Sequence, residues 1–130
     1  MPLTSSMEDY LEAVLVLQQQ KGYARCVDVA EFLNVKKPSV SRAVKELSKK
    51  KCLLKKDDGT LSLTEQGWQI AQQIYEKHQF FTRQLIEAGV PHDIAAQDAC
   101  RLEHVISETS FNKLKEAAWT NPQEGIPSEK

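Results

Sequence analysis

Apolar residues recur at helical spacing along most of the chain, and this pattern predicts six helices joined by short polar segments. We expect the first helix to begin at Ser5 or Ser6, because Ser5 and Glu8 have the spacing of a capping box. Between the third and fourth helices, two short apolar runs flank "DDG" at residues 57–59, which is typical of a β-hairpin. The predicted helices cover residues 5–17, 26–33, 38–50, 65–88, 93–106 and 110–119.

A helix, a helix–turn–helix pair and a hairpin, in that order, predict a winged helix–turn–helix domain. Pro38 falls in the first turn of the pair's second helix, where its missing N–H costs nothing. We expect that helix to enter the major groove of DNA and the hairpin to reach the phosphate backbone. The face of the helix expected to turn toward the core consists of Val40, Ala43, Val44 and Leu47.

The fold class that follows is mainly α, with an N-terminal winged helix–turn–helix domain at residues 1–66 and an all-helical domain at residues 67–119. Residues 120–130 have two prolines, a glycine and little to bury, so we expect a mobile tail. The helical domain is the candidate for forming a homodimer, although its apolar residues could equally fill the chain's own core. These residues are Phe80, Phe81, Leu85, Ile86 and Ile94.

The net charge of −1 conceals a basic segment at residues 36–56. This segment has nine basic side chains and one acidic side chain, Glu46, so its net charge is +8. A charge run by itself is usually a solvated helix face. Here the charge falls on the second helix of the pair and on the hairpin, the two elements that would meet a polyanion. The predicted contacts to double-stranded DNA are Lys36, Lys37, Pro38, Ser39, Ser41, Arg42, Lys45, Lys55 and Lys56.

The composition, 41% hydrophobic and 27% charged over 130 residues, is ordinary for a globular protein. No apolar run approaches the roughly 20 residues that span a bilayer, and the acidic N-terminus fits no signal peptide. Three cysteines without CxxC spacing indicate a reducing compartment. We therefore expect a cytoplasmic protein without a membrane partner.

The segment "DACRLEHVISE" places a thiol, a carboxylate and an imidazole on one helical face, because Cys100, Glu103 and His104 are spaced i, i+3 and i+4. Metal ligation is one explanation of this grouping. The other is a buried cysteine beside a surface glutamate and histidine. The three residues alone do not decide between the two.

Five segments in order resemble the diphtheria-toxin-repressor/manganese-transport-regulator (DtxR/MntR) family of metal-dependent bacterial repressors. They are "SMEDYLEAV", "VDVAEFLNVKKPSVSRAVKEL", "LSLTEQG", "KHQFF" and "ACRLEHVIS". The resemblance implies a homodimeric repressor of metal-homeostasis genes that binds a divalent metal between its DNA-binding and dimerisation domains. It implies that the ligands are Asp9, Glu12, His78, Cys100, Glu103 and His104.

Two of these positions bear on the identity of the metal. In the family, iron regulators typically have cysteine at the position of Cys100 and methionine at that of Asp9, whereas manganese regulators have glutamate and aspartate. This chain combines the aspartate and the cysteine. The thiolate favours Fe(II), with Mn(II) and Zn(II) as the next candidates. Whether one or two ions bind stays open, because a thiolate can bridge two ions or hold one.

The ancillary metal site of the iron regulators is not expected here, because Thr82 and Ala96 replace its carboxylate and histidine. His92 is interpreted as a surface residue. An alternative function is a winged-helix regulator that senses oxidation or a small ligand through Cys100. A metalloenzyme with a small-molecule substrate is disfavoured, since the chain has neither HExxH nor a nucleophile elbow.

Overall fold

The computed structural model describes residues 3–120, which form six helices and one two-stranded sheet. The predicted mainly α fold class is confirmed. The predicted mobile tail falls almost entirely outside the described residues. The elements are α1 (Ser5–Lys21), α2 (Cys26–Leu33), α3 (Lys37–Lys49), β1 (Leu53–Lys55), β2 (Leu61–Leu63), α4 (Glu65–Glu87), α5 (His92–Leu102) and α6 (Glu108–Thr120).

The described chain divides into two compact units, one up to Glu76 and the other from Lys77 onward. In the described range, no helix has the length and apolar character needed to cross a membrane.

The first helix begins at Ser5, one of the two predicted positions, but its cap residue and its end differ from the prediction. Thr4, rather than Ser5, is the N-cap, and its hydroxyl oxygen accepts a hydrogen bond from the Met7 N–H at 3.2 Å. At the other end α1 continues to Lys21, because Gly22 adopts a left-handed conformation (φ 87°) that stops the helix there.

The core of the first unit is built from α1, the helix–turn–helix pair, the sheet and the first part of α4. Asn34 ends α2 in the left-handed conformation (φ 57°), and the Val35 N–H bonds to the Ala30 carbonyl oxygen at 3.0 Å. The turn that follows directs α3 so that Val40, Val44 and Leu47 are buried. Ala43, which we expected on the same face, packs against this core only partly buried.

The predicted hairpin is the antiparallel pair β1–β2, with Leu53 opposite Leu63 and Lys55 opposite Leu61. A third stretch of chain lies beside the hairpin, because Arg25 forms an isolated antiparallel bridge with Thr60, just before β2. The Leu61 N–H also bonds to the Ala24 carbonyl oxygen at 2.7 Å. The hairpin is therefore attached to the segment that leads into the helix–turn–helix pair.

Thr64 and Gly67 fix the segment "TEQG", residues 64–67, that follows the hairpin. The Thr64 hydroxyl donates to the Lys51 carbonyl oxygen at 2.7 Å and accepts from the Gly67 N–H at 3.0 Å. A Cβ at Gly67 would lie 1.9 Å from the Cys52 carbonyl oxygen, so only glycine allows the backbones this close. The start of α4 is thus fixed against the chain that leads into the hairpin.

The second unit has a small aromatic core. Phe81 and Phe111 are buried, and the Phe80 ring lies edge-on to both, with centroid separations of 5.3 and 5.4 Å. Phe80 and Phe81 therefore belong to the unit's own core, whereas Ile86 and Ile94 remain exposed. Of the dimer candidates, only the last two present a large exposed apolar surface.

Candidate metal centre and nucleic-acid interface

The end of α5 determines how the thiol, carboxylate and imidazole are displayed. The helix ends at Leu102, four residues before the predicted end at Ile106. Glu103 keeps helical dihedrals, and its N–H still bonds to the Ala99 carbonyl oxygen at 3.0 Å. The His104 N–H bonds instead to the carbonyl oxygen of Arg101, three residues back, at 3.3 Å. This tighter final turn leads into the link between α5 and α6, which consists of residues 103–107.

Glu103 is the centre of a buried polar cluster in the second unit, since its side chain has no exposed surface. Its Oε1 lies 2.9 Å from Nδ1 of His78 on α4, and its Oε2 lies 3.4 Å from Nε2 of His104. A carboxylate removed from water requires such partners, because burial strongly disfavours an uncompensated charge. The two imidazoles give this carboxylate a polar environment inside the unit.

Cys100 adds a soft donor to the same cluster. It lies one helical turn before Glu103 and is half-buried, and its Sγ is within 4.8 Å of a Glu103 carboxylate oxygen. Together the four side chains supply one carboxylate, two imidazoles and one thiol. This mixture suits a first-row divalent cation. The residues of this unit therefore fit the metal that the sequence resemblance implies.

The two remaining predicted ligands lie in the first unit. Asp9 and Glu12 are both half-buried on α1, spaced i and i+3, so their carboxylates share one face of the helix. Tyr10 and Leu11, which follow Asp9, are buried in the core of the unit. The packing of these neighbours fixes the direction in which the acidic face of α1 points.

The predicted DNA contacts lie on the outer surface of α3 and on the hairpin. Ser39 is half-buried, and the other eight residues are exposed. Arg42 lies next to Ser39, with Nη2 to Oγ at 3.5 Å. Lys55 and Lys56 stand at the end of β1, where the hairpin turns. The buried residues of α3 thus leave its basic residues facing solvent.

The hairpin turn is held by Arg25, a residue that no sequence pattern indicated. Its Nη1 donates to the Asp58 carbonyl oxygen at 2.7 Å. Asp58 in turn accepts from the Thr60 hydroxyl at 2.6 Å and from the Thr60 N–H at 3.0 Å, and these bonds lower the pKa of its carboxyl group. Arg25 lies outside the basic segment, so local charge gave no signal of this role.

Comparison with known proteins identifies relatives for both units. The model "Iron dependent repressor, N-terminal DNA binding domain" matches residues 2–58, and "Iron dependent repressor, metal binding and dimerisation domain" matches residues 64–121. The "HTH-type transcriptional regulator MntR" of Geobacillus kaustophilus is 34% identical over 111 residues, covering 85% of this chain and 79% of the relative. The Bacillus subtilis protein of the same name is also 34% identical, with coverage of 85% and 78%.

Solved structures give the same picture. The IdeR of T. acidophilum superposes with a TM-score of 0.75 at 29% identity, covering 90% of this chain and 55% of that one. The manganese regulator SloR gives a TM-score of 0.79 at 27% identity, with coverage of 92% and 56%. The chain therefore spans about half the length of these two structures.

Proposed function

The chain belongs to the family of iron-dependent repressors, and we propose that it is a homodimeric repressor whose binding to operator DNA is switched on by a divalent metal. This family is the one that the sequence motifs indicated. The proposed targets are genes of metal homeostasis, and the proposed place of action is the cytoplasm. No small-molecule substrate and no membrane partner form part of this function.

The observation that supports the metal switch most directly is the buried Glu103 between two imidazoles. Nδ1 of His78 faces Glu103, so a proton on Nδ1 makes His78 the hydrogen-bond donor and leaves its Nε2 with a lone pair. Cys100 and His104 bring further donor atoms to the same carboxylate. A donor group assembled before any ion binds pays less ordering entropy on binding.

We assign the complete ligand set to Asp9, Glu12, His78, Cys100, Glu103 and His104. A bound divalent cation supplies positive charge that the carboxylates, imidazoles and thiolate share. A cation held by ligands from both units would make the position of the DNA-binding unit depend on whether the metal is bound. In a dimer, two α3 helices can enter successive major grooves only when they are about 34–36 Å apart. Ligation shifts the population toward that arrangement by its differential affinity and no more.

Among the candidate metals we favour Fe(II). The thiolate of Cys100 prefers borderline and soft ions, whereas Asp9 and Glu12 supply hard oxygen donors that also suit Mn(II). The likeness to the manganese regulator SloR makes Mn(II) the second candidate, and Zn(II) the third. Because the thiol must lose its proton, metal affinity should fall as pH falls.

On DNA, our candidates for contacts to the base edges are Arg42, Ser39, Ser41 and Pro38. The five lysines at positions 36, 37, 45, 55 and 56 are assigned to phosphate contacts, which provide affinity but little sequence information. For the dimer interface, the exposed Ile86 and Ile94 are the candidates that the core of the second unit leaves available.

Retention of sheared genomic DNA on the purified protein tests this function. The experiment is done without oxygen, in parallel with Fe(II), Mn(II), Zn(II) and a chelator. Specific fragments held only with metal are the expected result, and the most effective ion ranks the candidates. Equal retention of the same fragments in chelator would leave DNA binding intact but exclude the metal switch.

A further inference from the structure

Lys77 is a lysine buried inside the second unit, immediately before the candidate ligand His78 on α4. Its side chain is only 8% exposed, which is unusual for a charged group that loses water contacts on burial. Its Nζ forms an ion pair with Oε2 of Glu108, and it lies 5.9 Å from the centroid of the Phe111 ring. The ion pair therefore connects α4, which carries Lys77, to the first turn of α6, which carries Glu108.

Glu108 begins α6 directly after the link that contains Glu103 and His104. Two successive residues of α4 thus contact the two ends of this link: His78 contacts Glu103, and Lys77 contacts Glu108. Between these contacts Val105 is 77% exposed, and Ile106, half-buried against the aromatic core, is the apolar residue of the link that packs inward. The order of the link therefore depends on the polar contacts at its two ends together with the packing of Ile106.

We propose that Lys77 is a positioning residue for the metal site, which holds the Glu103–His104 link in place through Glu108. This inference rests on the proposed metal-binding function, but Lys77 is not itself a ligand. The ion pair contributes by restricting the link before any ion arrives. Fewer conformations are then lost on binding, and metal affinity rises.

The test compares Lys77→Met, Glu108→Ala and the double variant with wild-type protein. Affinity for Mn(II) is measured by calorimetry, and hydrogen exchange of the Glu103 and His104 amides is measured in metal-free protein. Each single variant should lose about tenfold in metal affinity, the low end for groups that support ligands, and both amides should exchange faster. The double variant should lose no more than either single variant, because both residues act through one contact.

Two further variants serve as controls. Lys77→Arg keeps the positive charge, so it should keep the metal affinity of the wild-type protein, unlike Lys77→Met. Lys113→Met removes an exposed lysine that pairs with Glu116 on α6 at 3.7 Å, and it should behave as wild type. Glu108 is 53% exposed, so Glu108→Ala tests the proposal even where Lys77→Met does not fold.

Wild-type metal affinity and exchange rates in Glu108→Ala would overturn the proposal, as would additive losses in the double variant. A wild-type protein that binds no metal would instead contradict the proposed function. The exchange rates of the metal-free variants would still decide whether Lys77 orders the link.

Discussion

Nδ1 of His78 lies 2.9 Å from Oε1 of Glu103, although 25 positions separate the two residues in the sequence. The contact joins the middle of α4 to the end of α5 and places a buried carboxylate beside an imidazole. Both residues are among the ligands that the sequence resemblance implies. Their pairing makes Glu103 the residue on which the proposed metal site depends most.

Glu103→Gln tests this dependence. Glutamine keeps the size and one hydrogen-bond acceptor but removes the charge, so metal affinity should fall by about 100-fold or more while the fold is retained. Calorimetry with Mn(II) measures the affinity, and circular dichroism checks the fold. Glu116→Gln, on an exposed position of α6, is the matched control. Unchanged affinity in Glu103→Gln would remove this residue from the ligand set.

Cys100→Glu should change which metal is preferred. Replacing the thiol by a carboxylate should raise affinity for Mn(II) relative to Co(II), a spectroscopic substitute for Fe(II). The near-ultraviolet absorption of a Co(II)–thiolate bond should be present in wild type and absent in the variant. Cys26→Ser changes a half-buried cysteine of the first unit and should retain that absorption. A wild-type Co(II) spectrum without the band would show that Cys100 is not a ligand.

Arg42→Ala and Lys55→Ala should weaken DNA binding in different ways. Loss of Arg42 should relax sequence preference at one position, at a cost of about 1–3 kcal/mol for the preferred base. Loss of Lys55 should weaken binding to all DNA sequences alike and reduce the salt dependence of the binding constant by about one released counterion. Anisotropy titrations on matched and mismatched duplexes at several salt concentrations distinguish the two. Equal losses on every duplex for both variants would refute the division of roles.

Asp28→Ala should destabilise the first unit in a pH-dependent manner. Asp28 caps α2 by accepting the Arg25 N–H at 3.0 Å, and its loss should cost about 1–2 kcal/mol. The hydrogen bond from Lys21 lowers the pKa of Asp28, and Asp28 raises the pKa of Lys21. The Asp28 contribution is therefore present above the unfolded carboxyl pKa of about 3.9 and disappears as pH falls through the folded value.

The contribution of Lys21 to the stability of the folded protein is lost at high pH rather than at low pH. It is present below the unfolded lysine pKa of about 10.4 and is lost as pH rises through the higher folded value. Urea unfolding should therefore show the largest difference between wild type and Asp28→Ala from about pH 5 to pH 9. Asp57→Ala, on the exposed hairpin turn, is the control. A difference that does not change toward acid pH would contradict this account of the ion pair.

Much of this fold could be predicted because it is determined locally. The range of α2 follows from apolar periodicity, and the hairpin from its turn residues. The residues at which helices begin and end are less well predicted by such patterns. Thr4, Ser5 and Ser6 are three successive hydroxyl residues at the start of α1, and each is a possible cap, so the choice of Thr4 depends on geometry that a pattern does not contain. The apolar pattern also continues past Leu102, where the backbone changes to i→i−3 bonding.

The grouping of Cys100, Glu103 and His104 could be predicted because it depends on spacing along one short segment. The contacts of Lys77 with Glu108 and of Arg25 with Asp58 could not, because they join side chains to distant partners. Periodicity also did not separate the buried Phe81 from the exposed Ile86, since both are apolar residues of the same helix. Those distinctions arise from tertiary packing.

The most direct test of the central claim is a reciprocal titration. A labelled fragment retained by the protein is titrated with protein at fixed metal concentrations and in chelator, and metal affinity is then measured with and without that DNA. Metal should tighten DNA binding, and DNA should tighten metal binding by the same factor, because the two equilibria are linked. Equal DNA affinity in metal and in chelator would contradict the account.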